Sequence, residues 1–146
     1  MEQPRDRLRR LLLLIFVLGA LGVGAELVLL DHTESTWQFV PLVLLPIGLG
    51  WCTAVLFRPT SGTVFGLRTT MVAFVLASLI GLVQHYRGNV EFELEMYPSM
   101  TGLELVWEAL TGATPALAPG TMALLGLIGL AACFDHPSLR TRGDPP

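Results

Sequence analysis

The chain has no lysine, only two cysteines and few charges of either sign, 14% of 146 residues where ordinary soluble domains carry about 25%. Each scarcity excludes a class of protein. A nucleic-acid binder needs a basic face, and nine arginines against twelve acids, net −3, supply none. Cys52 and Cys133 stand far apart, so the Cys-x-x-Cys pair of four-helix thiol oxidoreductases is missing. Ser61, Ser78 and Ser99 lack a Gly-x-Ser-x-Gly context, no glycine-rich phosphate loop occurs, and His-Glu-x-x-His is absent. The sequence favours a non-enzymatic role.

What the chain has instead is apolar residues, 52% of the total with a mean hydropathy of +0.61. They come in blocks near 20 long rather than at helical or strand periods, the pattern of bilayer-spanning segments. Residues 11–30 are apolar but for Glu26, and at about 1.5 Å per residue they match a hydrocarbon core of about 30 Å. Similar runs cover 37–57, 69–86 and 117–134, each ending at charges or at Pro/Gly punctuation. The expectation is an all-α integral membrane protein, one domain of four transmembrane helices in a bundle, with an outer loop at 87–116.

Orientation follows from the arginines, because basic residues near segment ends are retained in the cytoplasm. Arg5, Arg7, Arg9, Arg10, Arg58, Arg68, Arg140 and Arg142 fall on one side and Arg87 alone on the other. Both termini are therefore expected in the cytoplasm, in a multi-pass protein of the cell membrane. The outer side collects Asp31, Glu34, Glu91, Glu93, Glu95, Glu104 and Glu108, for a net charge of −6 with Arg87. A competing reading of the first segment is a signal peptide cleaved after Val23-Gly24-Ala25, a small-residue site behind a basic start. The apolar run continuing to Leu30 argues for a full span. On this topology both cysteines lie at the reducing side, which disfavours a structural disulfide.

Lipid tails are as apolar as leucine, so spans associate where small residues let backbones approach. Gly19, Gly22 and Glu26 share one helical face of the first segment, and Ala123, Gly126 and Gly129 form an edge of the fourth. Pro41 and Pro46 should kink the second. In the outer loop Val90, Phe92, Leu94 and Met96 alternate with Glu91, Glu93 and Glu95, a period that gathers three carboxylates on one side of an extended chain. Thr101-x-x-Glu104 then reads as a capping box, with Met100 and Leu105 as hydrophobic staple. A short amphipathic helix over 101–111 follows, Leu103, Val106, Trp107 and Leu110 on one side and Glu104 and Glu108 on the other, with Gly112 as its stop. Trp107 and these two acids are candidate contacts, with the helix flat in the membrane interface or capping the bundle.

An ionised group inside a membrane costs several kcal/mol, so Glu26 needs a reason. At its depth lie His32, Glu34 and Gln38 near the next helix and Gln84 and His85 at the end of the third segment. Three readings compete. Glu26 hydrogen-bonds His85, Gln84 or Gln38 and fixes register. Or Glu26, His32 and His85 bind a divalent transition metal, imidazole and carboxylate being suitable ligands, with Glu34, Glu91, Glu93 and Glu95 as outlying carboxylates. Or Glu26 titrates along a proton or solute path, which would require a second subunit because no deeper acid continues it. A haem between His32 and His85 is a fourth, weaker arrangement. His136, beside Asp135 and Pro137, reads as a solvated or interfacial residue of the inner side. The function expected is a small membrane subunit whose outward rim binds a partner or a cation, and the alternative is a membrane metalloprotein of redox or hydrolytic activity. The bilayer is one partner, and another membrane subunit or a second copy of the chain the other.

Overall fold

The computed structural model describes residues 3–33, 35–112 and 114–139, and among them every regular element is helical. Helix α1 is Pro4–Leu29, α2 Phe39–Phe57, α3 Ser61–Met96, α4 Gly102–Thr111 and α5 Gly120–Cys133. Three of them, α1, α2 with the short turn ahead of it, and α3, are long and apolar enough to cross a bilayer. An all-helical chain with three such helices is consistent with a helical membrane protein. Helix α5 has 14 residues, about 21 Å at 1.5 Å per residue, and is shorter than the expected 117–134 segment. Pro115 and Pro119 explain the late start, since a proline donates no backbone hydrogen bond. The chain from Pro115 to Met122 instead winds through tight turns, with Ala118 N–H to Pro115 O at 3.0 Å and Gly120 N–H to Leu117 O at 2.9 Å.

The helices alternate in direction, and their packing is a ring: α2 lies against α1 and α3, and α5 against α3 and α1. At one end the start of α1, the α2–α3 turn and the finish of α5 come together. Arg9 donates to Asp135 O at 2.7 Å and Ser138 Oγ to Pro59 O at 3.2 Å. This end carries Arg5, Arg7, Arg9, Arg10, Arg58 and Arg68. Arg140 and Arg142 lie outside the described residues. Mid-bundle, Phe16 of α1 and Phe74 of α3 meet with ring centroids 5.7 Å apart. Both press on Gly48 of α2, where an added Cβ would stand 3.0 Å from each ring. A Cβ on Gly126 would come 2.8 Å from Met71 O, and one on Gly129 would collide with the Met71 side chain, so α5 touches α3 at van der Waals distance. Small residues permit that approach where no hydrophobic force drives helices together. The two thiols are unoxidised and buried, Cys52 directed at Leu13 O and Cys133 at Val64 O.

Several boundaries differ from expectation. Helix α3 does not end at 86 but runs to Met96, and the 90–96 stretch is helical rather than extended. Glutamate, leucine and methionine are strong helix formers, and no breaker occurs before Pro98. At about 100° per residue Glu91 and Glu95 share a face while Glu93 lies across the helix, so the row of three carboxylates does not form. Helix α1 ends in a Schellman motif. Asp31 adopts a left-handed φ of 49°, its N–H bonds Val28 O, and His32 N–H bonds Leu27 O at 3.0 Å. Helix α2 continues unbroken through Pro46.

Candidate functional site

Glu26, the residue on which the sequence argument turned, is exposed on α1. The face of α1 that packs is Leu13, Phe16 and Ala20, and Glu26, six residues past Ala20, lies about 240° around the helix from it. Gly19 touches Leu125, but a Cβ on Gly22 would meet nothing within 4 Å. The small-residue stripe therefore leaves the interface between Gly19 and Gly22, and Glu26 leaves with it. Glu34 lies outside the described residues. No three His, Cys, Asp or Glu side chains gather into a metal-holding group among the described residues, so Glu26, His32 and His85 are not brought together as one.

His85 has a different role. Its Nδ1 lies 3.2 Å from Pro115 O, joining α3 to the chain that enters α5. One turn further along the same face is Asn89, the single asparagine in the chain and 2% exposed. Its amide is fully used. Nδ2 donates to Ala109 O at 2.8 Å and to Thr114 O at 2.7 Å, while Oδ1 accepts from Thr114 Oγ1 at 2.6 Å and from Thr114 N–H at 3.2 Å. Gly112 lies against this amide, where a Cβ would be 3.1 Å from Asn89 Cγ. Asn89 thus clasps the end of α4 to α3. The sequence reading passed over it because a lone asparagine in a polar stretch carries no motif. Its i, i+4 spacing from His85 was the available signal.

The clasp sets the shape of the acidic end. The apolar part of α3 lies between Arg68 and Arg87, so Gly88–Met96 extends the helix by about 13 Å at 1.5 Å per residue. Helix α4 leaves that overhang through residues 97–101 and returns along it to Asn89, making a helical hairpin. Only Ala109 of α4 is buried, with Leu105 half-buried; Leu103, Val106, Trp107 and Leu110 are exposed, as are Glu104 and Glu108. Of the two placements expected for the apolar stripe, flat in the membrane interface or capping the bundle, the exposure of these residues leaves the first open. The capping box is missing too. Thr101 makes no side-chain cap bond, because the chain enters α4 through Gly102 at a φ of +65°, a left-handed step that glycine makes without penalty.

At the opposite end Arg9 is bound on all sides. It donates to Asp6 at 2.9 Å and to the carbonyls of Phe134 and Asp135 that α5 leaves open at its finish, a cation on the negative end of a helix. Arg5 pairs with Asp135 at 3.5 Å. His136, expected to be solvated or interfacial, is half-buried, and its Nδ1 accepts from Ser138 N–H at 3.2 Å. Burial lowers its pKa from the ordinary value, the nearby Arg9 cation lowers it further, and Asp6 opposes both.

The fold is consistent with a small helical membrane protein, with a basic end and an acidic, protruding one. Compared with known proteins, the chain matches no family model, no curated protein and no solved structure.

Proposed function

We propose that the chain is a non-enzymatic, membrane-embedded binding subunit. Its acidic hairpin engages a protein partner bearing basic and apolar residues. The observation that carries this reading is the exposure of Leu103, Val106, Trp107 and Leu110 on a helix held rigidly by Asn89 and flanked by Glu104 and Glu108. Exposed apolar groups rimmed by charge mark interaction surfaces, and Glu91, Glu93, Glu95, Glu104 and Glu108 outnumber the lone Arg87 there, so the complement is basic. In this reading α5 and the turns before it make a fourth crossing, and the arginine asymmetry places the basic end in the cytoplasm.

A photo-crosslinking residue at position 103 or 107 in native membranes tests the proposal. The expected product is a discrete protein adduct that disappears when Glu104 and Glu108 are both changed to Gln. Crosslinks to lipid alone would refute it, since the stripe would then lie in the bilayer interface. Topology is checked in a Cys52→Ala, Cys133→Ala background: a cysteine at exposed position 95 should react from outside, and one at position 62 only after permeabilisation.

A further inference from the structure

At the arginine-rich end, α3 and the finish of α5 enclose an open cavity of about 460 Å³ whose walls include Arg68, Leu130, Phe134, Asp135, His136 and Leu139. Its charge is out of balance. Arg5 and Arg9 at this end are engaged, Arg5 with Asp135 and Arg9 with Asp6 and two carbonyls, whereas Arg68 has no ion pair or hydrogen bond among the described residues. Asp135, the one acid on the wall, lies 3.5 Å from Arg5, which leaves the Arg68 guanidinium uncompensated. His136 adds a donor of its own. With Nδ1 accepting from Ser138 N–H, the neutral ring carries its proton on Nε2.

The surface beside Arg68 identifies the kind of anion. Val72, Leu76 and Leu79 follow it at i+4, i+8 and i+11 on α3, and Phe65 precedes it at i−3; all four are exposed. A guanidinium thus stands at the foot of an apolar stripe that climbs the helix toward mid-membrane, with the exposed Phe134 ring on the cavity's other wall. On a helix long and apolar enough to cross a bilayer such a stripe faces acyl chains, so the anion at hand beside Arg68 is a lipid headgroup. An amphiphile with an anionic head accounts for both, and basic pockets between transmembrane helices are general sites for such heads. We propose that this cavity binds the phosphate headgroup of an anionic phospholipid, with Arg68 as the phosphate ligand and the Val72–Leu76–Leu79 stripe seating an acyl chain. The guanidinium offers paired donors that fit two phosphate oxygens at once. The site is independent of the acidic hairpin at the other end, so either proposal can fail alone.

The test uses the full chain in detergent, titrated with phosphatidylglycerol or phosphatidylcholine while native mass spectrometry counts bound lipid. Wild-type protein should prefer phosphatidylglycerol. Arg68→Gln should bind it about five-fold more weakly, the worth of one basic residue at an anionic surface, with phosphatidylcholine binding unchanged. Arg7→Gln, exposed on α1 and away from the cavity, should behave as wild type. Retained preference in Arg68→Gln, or an equal loss in Arg7→Gln, would overturn the site in favour of diffuse electrostatics. Displacement of the lipid by glycerophosphate would overturn the lipid assignment in favour of a soluble anion. If circular dichroism shows Arg68→Gln unfolded, Arg68→Met decides: lost preference for phosphatidylglycerol supports the site and kept preference overturns it.

Discussion

Replacing Asn89 by leucine, a side chain of similar size, should release α4 while the bundle stays folded. The amide makes four hydrogen bonds, two to carbonyls and two to groups of Thr114. Thr114 is exposed, so water can replace what it loses, at about 1 kcal/mol net per bond or less. Ala109 is fully buried, and its orphaned carbonyl costs about 1–3 kcal/mol. Together these put the weakening of α4 docking at about 2–4 kcal/mol. Because about 1.4 kcal/mol is a factor of ten in an equilibrium, amide exchange in 103–112 should accelerate by about 30- to 1000-fold. Amides of α3 near Met71 and Phe74 should not change, since the clasp lies far along the helix from them. Asn89→Asp should be as damaging at neutral pH: it keeps the acceptor but turns a carboxylate oxygen toward the carbonyls of Ala109 and Thr114. Exchange within about three-fold of wild type in Asn89→Leu would refute the reasoning and leave α4 held by Ala109 and Leu105 alone.

Gly102→Ala should destabilise the entry to α4 by about 1 kcal/mol, because its φ of +65° favours glycine over a residue with a Cβ; Thr101→Ala, which removes no cap bond, should cost under about 0.5 kcal/mol, a contrast that amide exchange at 103–105 reads directly. Gly126→Ala should cost about 1–3 kcal/mol, because its Cβ would stand 2.8 Å from the Met71 carbonyl and a backbone cannot step aside. Gly22→Ala, inside α1 and facing open space, should leave the same thermal melt unchanged or raise stability by up to about 1 kcal/mol. Since His136 is protonated less readily in the folded chain than its ordinary pKa of 6.5 implies, the unfolded chain binds more protons below that pH. The stability it contributes is present above about pH 6.5 and lost as pH falls through the lowered folded value. Melting from pH 8 to 5 should show this decline, and His136→Asn should flatten it.

The class of protein was legible in composition and run length alone, because a bilayer demands about 20 consecutive apolar residues and only charge or proline ends such a run. Segregation of arginines from acids was legible too, and the fold keeps it, Arg9 joining α1 to the finish of α5 while the glutamates collect at the other end. Helix ends were less so. Alternation in 90–96 suggested an extended stretch, and continuity with α3 made it helical instead. The site was the least legible part. Glu26 was assigned to the interior because it shares a face with Gly19 and Gly22, yet neighbouring helices determine which part of a glycine face is covered: Gly19 lies against Leu125 of α5, and Gly22 faces open space. Asn89, Arg9 and Arg68 are ordinary residues in sequence. Only the return of α4 makes Asn89 a clasp, only the finish of α5 makes Arg9 a cap, and only the cavity beside it makes Arg68 an unbalanced charge. Local sequence settles what a segment can be, because hydrogen bonding and hydropathy act within a few residues. Which side chains meet depends on packing between segments distant in the chain, and that the tertiary structure alone decided.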